Sequence, residues 1–299
     1  MTATTAAVAF YPHVQSALSP NPARVDGVSI LPPAVDPLTN ERPRVEVVFA
    51  LDTTGSMSGL IKAAKEKIWS IATTLASAQP APEIRMGLVA YRDRGDTYVT
   101  RVVDLSDDLD SLYASLMDLQ AQGGGDGPES VNQALHEAVQ DISWSQDQDT
   151  YKVVFLVGDA PPHMDYQDDV KYPQTIAAAQ KKGIMINAVQ CGQNSSTSRE
   201  WRTIARLADG SYFSVEQEGS AVAITTPYDE KLARLSAALD DTRLYYGTGA
   251  EKEKSRRKLD ASAKLHLGSS LESRARRAAF NASKSGQDNF LGEGELVDA

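Results

Sequence analysis

The chain contains 299 residues, of which 41% are hydrophobic, so it is long enough to bury a sizeable core. This length suits one α/β domain of about 170 to 200 residues with flanking segments, and the composition excludes collagen-like and repeat proteins. The formal net charge of -10, from 40 acidic residues against 30 lysines and arginines, disfavours nucleic-acid binding by the main domain, because phosphate groups would be repelled.

The chain divides into three predicted segments. Residues 1–43 are predicted to form a mostly extended leader, because prolines recur along them and their apolar pieces are short. Residues 1–10 lack the basic region of a signal peptide and are too short for a transmembrane helix. A folded domain is predicted for residues 44–246, and a helical, locally basic extension is predicted for residues 247–299.

The first strong pattern is the apolar stretch 45–51, which ends in Asp52 and is followed by Thr54 and Ser56. It predicts a buried parallel strand, a tight loop and a helix over residues 60–77. Because open α/β sheets bind ligands at the carboxyl ends of their strands, these three oxygen-bearing side chains are candidate ligands for a small cation such as Mg2+. The alternative is that the two hydroxyls only cap the helix that follows.

Strands and helices then alternate along the chain. Further strands are predicted at residues 84–91, 97–105, 153–158, 184–191 and 211–215, with the second of them antiparallel to the first. Helices are predicted at residues 107–119, 128–142, 170–182 and 198–208. Cys191, the single cysteine, lies in an apolar strand and is predicted to be a buried structural thiol. The charged loop 92–96 is predicted to be solvated, with the alternative that Arg92 and Arg94 form a specificity surface.

Two later loops bring carboxylates to the same edge of the predicted sheet. The glycine run 123–125 permits a tight turn and leads through Asp126 to Glu129. Asp159 ends the apolar strand 153–158, in the same kind of position as Asp52. Carboxylates from three loops at one edge would repel one another unless a cation lay between them. The pattern therefore favours a metal site.

The sequence Asp52-x-Thr54-x-Ser56, followed by the glycine-rich loop and Asp159, resembles the metal-ion-dependent adhesion site (MIDAS) of a von Willebrand factor type A domain of the bacterial type. In that family the first loop reads Asp-x-Ser-x-Ser, so Thr54 is a conservative departure. The resemblance covers roughly residues 45–216. It implies an α/β fold with a doubly wound, mostly parallel six-stranded sheet, one antiparallel edge strand and helices on both faces, followed here by a helical C-terminal tail.

The second loop is similar to that of the A-like domain of integrin β subunits, where an Asp-x-Pro-Glu turn gives the metal a glutamate. The resemblance therefore implies that Glu129 is a ligand and that Asp126 is an outer or alternative ligand. It implies one ion, Mg2+ or alternatively Mn2+ or Ca2+. The remaining ligands that it implies are Asp52, Thr54, Ser56 and Asp159.

The resembled family binds proteins through a partner carboxylate that fills an open position on the ion. We therefore expect a metal-dependent binding module for adhesion or assembly, whose protein partner presents an acidic residue. Since proteins of this family are often exported from bacteria, a periplasmic or extracellular compartment is favoured over the cytoplasm. Neither a membrane association nor a nucleic-acid partner is indicated.

The main alternative is a metal-assisted hydrolase, for which His163 or Asp165 is the nearby candidate for a general base. No Gly-x-Ser-x-Gly, P-loop or His-Glu-x-x-His motif is present, so we expect no enzymatic activity. His163 is otherwise predicted to lie at the rim of the site. As a metal ligand it would favour zinc over Mg2+.

The C-terminal part changes in composition. Residues 228–244 have helical periodicity and predict an apolar face that contains Leu232, Leu235, Leu239 and Leu244. Residues 251–278 hold nine lysines and arginines against four acids. Small residues interleave with these charges as on a solvated helix, and no aromatic platform accompanies them, so nucleic-acid or lipid binding is the less favoured interpretation. A further hypothesis is that these helices dock the domain into a larger complex.

Overall fold

The structure is a computed structural model that describes residues 42–76, 78, 80, 82–125, 127–215, 227–245, 247–282 and 295–297. The predicted leader lies outside the described residues except for Arg42 and Pro43. The predicted ligand Asp126 also lies outside them.

Strands and helices alternate through most of the described chain. The strands are β1 (Arg44–Asp52), β2 (Glu83–Tyr91), β3 (Thr100–Ser106), β4 (Tyr151–Gly158), β5 (Ile184–Cys191), β6 (Tyr212–Val215), β7 (Arg243–Tyr245) and β8 (Glu295–Val297). The helices are α1 (Ile61–Ala76), α2 (Leu109–Asp118), α3 (Val131–Gln140), α4 (Tyr172–Lys181), α5 (Ser195–Leu207), α6 (Asp229–Asp241), α7 (Gly249–Gly268) and α8 (Leu271–Ala282). A short 3-10 turn, Gly55–Gly59, joins β1 to α1.

Six strands form one sheet in the order β3-β2-β1-β4-β5-β6. All neighbours pair in parallel except β2 and β3, which are antiparallel. The predicted doubly wound sheet with one antiparallel edge strand is therefore confirmed. The chain reverses its direction of winding between β1 and β4, and such a switch point is where open α/β sheets leave a crevice at their carboxyl ends.

The two faces of the sheet bury separate hydrophobic cores. Alternate residues of β1 enter each of them, with Phe49 on the face covered by α1 and α2, and Val48 on the face covered by α3, α4 and α5. Phe49 stacks on Phe155 of the neighbouring strand, with 5.5 Å between the ring centroids. Because β1 is covered on both faces, its sequence is a continuous apolar run. Cys191 is a buried free thiol, as predicted.

The start of α3 and the buried face of α6 differ from their predictions. α3 begins at Val131 rather than at Pro128, because Glu129 forms a β-bridge with Pro162 in front of the helix. The predicted apolar face of α6 is also wrong, since Leu235 is 53% exposed and Leu239 is 40% exposed. The residues that α6 buries are Asp229, Ala233, Ser236 and Asp240.

The C-terminal helices pack against the domain rather than projecting from it. α7 packs on α2, and α8 packs on α6. Ala261 and Leu265 of α7 and Phe280 of α8 belong to the same hydrophobic core as α1 and α2. Within the described part of the chain, no helix is long and apolar enough to cross a bilayer.

Arg277 of α8 corrects the prediction of a solvated basic tail, because it is only 1% exposed. Its Nε donates to Asp110 Oδ1 of α2 at 2.7 Å, and its Nη1 donates to Asp240 Oδ2 of α6 at 2.7 Å. Ser236 and Ser262 accept further hydrogen bonds from the same guanidinium, at 3.0 and 3.1 Å. The charge of Arg277 explains why α6 buries Ser236 and Asp240, since both bind its guanidinium.

Candidate metal centre

The site begins where β1 ends. Asp52 is fully buried, and its Oδ1 accepts hydrogen bonds from the backbone N–H and the hydroxyl of Thr54 at 2.9 and 2.7 Å. Thr54 precedes the 3-10 turn but makes no capping hydrogen bond to it. The hydroxyl of Thr54 is therefore directed at the carboxylate, and the capping alternative does not describe it.

A chain of hydrogen bonds connects Asp52 to the next loop. The hydroxyls of Thr54 and Ser56 lie 3.1 Å apart, and Ser56 Oγ donates to Asp159 Oδ1 at 2.9 Å. The backbone oxygen of Asp159 accepts a hydrogen bond from Thr197 of α5 at 2.9 Å, which ties its loop to the domain. The structure thus brings together the four predicted ligands Asp52, Thr54, Ser56 and Asp159.

Glu129 comes to the same cluster from the second loop. It is 2% exposed, and its backbone is held on both sides by the loop after β4: its N–H donates to Pro161 O at 2.9 Å, and its O accepts from His163 N at 3.1 Å. A Cβ placed on Gly124 would lie 3.1 Å from Glu129 Oε1 and 3.3 Å from Thr54 Cβ. Gly124 has a φ of 78° and therefore suits glycine for both its conformation and its close contacts.

The carboxylates of this cluster interact with one another, and among the described residues no lysine, arginine or histidine side chain forms an ion pair with Asp52, Glu129 or Asp159. Burial, with Asp159 as a smaller contribution, raises the pKa of Asp52 to about 7. Burial followed by the charges of Asp52 and Asp93 raises the pKa of Glu129 to about 9. Burial also raises the pKa of Asp159. An acid whose charged form is disfavoured in this way gains from any cation placed beside it.

Two carboxylate oxygens in the cluster fit a cation. Asp52 Oδ2 and Glu129 Oε2 are buried and have no hydrogen-bond partner in the part of the chain that the structure describes. Among the described residues, no three His, Cys, Asp or Glu side chains alone are placed to hold a metal. The hydroxyls of Thr54 and Ser56 would thus have to complete the ligand set, and a mixture of carboxylate and hydroxyl oxygens suits Mg2+, Mn2+ or Ca2+.

The raised pKa values predict how pH affects the metal-free protein. Because Asp52 and Glu129 bind protons more tightly when folded than when unfolded, their contribution to stability is full below about pH 4 and is lost as pH rises through about 7 and 9. We expect the melting temperature in chelator to fall between about pH 5 and pH 9, and saturating Mg2+ to reduce that fall. A melting temperature that is independent of pH in chelator would contradict the assignment.

His163 is not at the rim. It is 4% exposed, its Nδ1 lies 2.8 Å from Asp165 Oδ1, and its Nε2 lies 3.5 Å from Asp93 Oδ2. Its ring stacks on Tyr166 with 4.0 Å between centroids. Both ring nitrogens therefore face carboxylates outside the predicted ligand set, and the side chain connects its own loop to Asp93 of the loop after β2.

The loop 92–96 is only partly solvated, because Arg92 and Asp93 are buried whereas Arg94 and Gly95 are exposed. Arg92 is 5% exposed, and it donates to Thr53 O at 3.1 Å and to Gln120 O at 2.9 Å. Arg94 binds Asp168 and Asp169 at 2.8 and 2.6 Å, so neither arginine projects freely toward a partner. Arg92 therefore holds this loop against Thr53, in the turn after β1, and against Gln120.

Sequence reasoning missed Tyr91 at this site. Tyr91 is fully buried at the end of β2 and pairs in register with Asp52. The available signal was its position as the last residue of a strand next to β1, because neighbouring parallel strands bring their last residues to one edge. An aromatic residue at the end of an apolar strand is predicted to be a core residue. The prediction is correct for the ring of Tyr91 but says nothing about its hydroxyl.

Parts of the chain are similar to known proteins. A mimivirus protein, named as an ariadne-like RING finger protein of Acanthamoeba polyphaga mimivirus, is 26% identical over 119 residues, which cover 40% of this chain and 11% of that protein. Proximal thread matrix protein 1 from the mussel byssus, solved with a zinc-occupied MIDAS motif, is 14% identical, with 60% of this chain and 43% of that chain covered and a TM-score of 0.45. The VWA domain of SpRpn10 is 15% identical, and the match covers 58% of this chain and 88% of that chain with a TM-score of 0.45.

The chain therefore spans about a tenth of the mimivirus protein and less than half of the mussel protein. The family model of the von Willebrand factor A domain matches residues 46–227, which is more than half of the chain. The matched range contains β2 to β6 and nearly all of β1, together with every predicted ligand. The chain belongs to the von Willebrand factor A domain family.

Proposed function

We propose that the protein is a metal-dependent protein-binding module that holds one divalent cation at the carboxyl edge of its sheet. The observation that carries the proposal is the pair of buried, unpartnered oxygens, Asp52 Oδ2 and Glu129 Oε2, within a cluster of raised-pKa carboxylates. The proposed ligands, directly or through water, are Asp52, Thr54, Ser56, Glu129 and Asp159. Such a module serves adhesion or assembly.

The donor set favours a hard cation. Each proposed ligand atom is a carboxylate or hydroxyl oxygen, and the ring nitrogens of His163 are directed at Asp93 and Asp165. Oxygen ligands suit Mg2+, Mn2+ and Ca2+, whereas histidine and thiolate ligands would favour zinc. The likeness of the second loop to that of integrin β subunits supports Glu129 as a ligand, with Asp126 as an outer one.

One side of the cluster is open to a partner. Asp52 and Glu129 are buried, but Ser56 is exposed and Asp159 is half-exposed, so the cluster reaches the surface at those two residues. A cation held by side chains from one side keeps a position that solvent or a ligand fills. We propose that a partner's aspartate or glutamate fills it, because a carboxylate gives a cation a charged oxygen ligand.

The binding role is favoured over metal-assisted hydrolysis. Hydrolysis needs a general base beside the open position, within hydrogen-bond reach of the attacking water. Of the two predicted bases, His163 is buried, stacks on Tyr166 and contacts Asp93 and Asp165. The other, Asp165, is exposed and pairs with His163 at 2.8 Å. Docking of a larger complex through α7 and α8 is also less favoured, because Arg277, Ala261 and Phe280 are used within the chain itself.

The test uses Mn2+ as a paramagnetic probe on chelator-stripped protein. Mn2+ bound in an open site relaxes water protons strongly, and a carboxylate that enters the open position displaces water and weakens the effect. We expect about one Mn2+ per chain, and a fall in relaxation when a short peptide with a single aspartate is added. The same peptide with asparagine in place of aspartate should leave relaxation unchanged.

Two results would refute the proposal in different ways. If the folded protein binds none of Mn2+, Mg2+ and Ca2+, the proposed metal site is wrong. If Mn2+ binds but its effect on water relaxation changes with neither peptide, the proposed open position is wrong. As a matched control, Asp141→Asn changes an exposed acid at the end of α3 and should leave Mn2+ binding unaltered. Glu129→Gln should weaken binding by about 10-fold or more, since a charged ligand is lost.

A further inference from the structure

Tyr91 has a buried hydroxyl with no hydrogen-bond partner among the described residues. The residue is 0% exposed, its ring belongs to the core on the α3 side of the sheet, and its Oη lies inside that core without a hydrogen bond to any of them. Its backbone is well used, since Tyr91 O accepts from both the N–H and the hydroxyl of Thr53 at 2.9 Å. A buried hydroxyl left unsatisfied is a net cost to folding, so packing alone does not explain why a phenylalanine is not present.

Gly158 makes room for this hydroxyl beside Asp52. A Cβ placed on Gly158 would lie 2.6 Å from Tyr91 Oη, 2.6 Å from Asp52 Cβ and 2.9 Å from Asp52 Oδ2. The unpartnered hydroxyl and the unpartnered carboxylate oxygen therefore converge on the same small space. Any side chain at position 158 would occupy that space, which accounts for glycine at the end of β4.

We propose that Tyr91 is a positioning residue for the cation, with its hydroxyl donating a hydrogen bond to Oδ2 of ionised Asp52. The inference rests on the proposed function, because it concerns the cation-loaded form of the same site. In that form Asp52 must carry its negative charge, and a donor in the adjoining space lowers the cost of a buried, charged oxygen.

The phenol is suited to this role in two ways. Burial and the nearby charges of Asp52, Glu129 and Asp159 raise the pKa of Tyr91 well above its usual value, so the hydroxyl keeps its proton and remains a donor. Its ring is fixed between β2 and the helices of the second core, so the donor is held in place before the cation arrives. Residues that orient a metal ligand in this way commonly change metal affinity by about 10-fold to 100-fold.

The test is Tyr91→Phe, which removes one oxygen and keeps the ring. We expect the dissociation constant for Mn2+, measured by electron paramagnetic resonance, to rise by about 10-fold. The melting temperature in chelator at about pH 5 should stay the same or increase, because an unpartnered hydroxyl has been removed from the core. Weaker metal binding together with undiminished metal-free stability is a combination that a merely structural tyrosine would not give.

Tyr113→Phe is the matched control. Tyr113 is 2% exposed and stacks on Trp69 in the opposite core, away from the cluster. Its variant should bind Mn2+ like the wild type. Unchanged Mn2+ affinity in Tyr91→Phe, or a metal-free melting temperature that falls, would overturn the inference while the wild type still binds the ion. A wild type that binds no Mn2+ would refute the proposed function, and the inference with it.

Discussion

Arg277→Ala is expected to lower the free energy of unfolding by about 3 to 5 kcal/mol, because the buried carboxylates of Asp110 and Asp240 lose the guanidinium that they share. Arg277 is 1% exposed, and both carboxylates that it binds, Asp110 and Asp240, are buried as well. Burial alone would lower the pKa of Arg277, but these two acids raise it above its ordinary value, so the arginine is charged in the folded protein. Its removal also takes a donor from Ser236.

The measurement is chemical denaturation of the full chain, with Arg276→Ala as the control. Arg276 is the neighbouring residue but is exposed, so its loss should change stability by less than about 0.5 kcal/mol. The two variants remove the same charge and the same number of atoms, and they differ in burial alone. Equal effects from the two would show that the contacts of Arg277 do not hold the C-terminal helices.

Asp52→Asn is expected to have two effects of opposite sign. Binding of Mn2+ should weaken by more than about 100-fold, since the proposed central carboxylate loses its charge. The metal-free protein should become more stable at about pH 8, because burial raises the pKa of Asp52 from 3.8 to about 7 and the ionised form is disfavoured in the fold. At about 1.4 kcal/mol per pKa unit, the gain has an upper bound of about 4 kcal/mol.

The sign follows from the proton linkage. A folded-state pKa above the unfolded one means that stability is present at low pH and lost as pH rises toward about 7. Asparagine does not ionise, and its amide oxygen can still accept the two hydrogen bonds that Thr54 donates to Oδ1. Thermal melts in chelator at about pH 5 and pH 8 check this prediction. A variant that is less stable than the wild type at the higher pH would contradict it.

Local patterns in the sequence were sufficient to predict the sheet and the edge at which Asp52 and Asp159 meet. Strands β1 and β4 are apolar throughout because helices cover both faces, and each is followed at its carboxyl end by a carboxylate, Asp52 or Asp159. Parallel neighbours place those ends side by side, so the meeting of the two acids follows from the order of the elements. The prediction of Glu129 as a ligand depended on the resemblance to a known family, because the periodicity of apolar residues does not predict the path of a loop.

Contacts between distant residues were not predictable in the same way. The exposed side chains of Leu235 and Leu239 and the buried Asp240 reverse the expected face of α6 because Arg277 lies against it. Likewise the sequence predicts a solvated side chain for Arg92, but this side chain donates to Thr53 O and Gln120 O. In each case the partner of a charged side chain is far along the chain, and no local pattern reveals it.

The pairing of Asp110 with Arg277 has a consequence for how the protein is made. The two residues are separated by 167 positions, and the acid is synthesised first. At about 5 to 20 residues per second, a ribosome needs roughly 8 to 33 seconds to reach the arginine after it has passed the aspartate. During that interval the sheet domain can form, but the inner surface of α2 carries an acid whose counter-charge has not yet been translated. The buried ion pair between α2 and α8 can therefore form only after α8 has been synthesised.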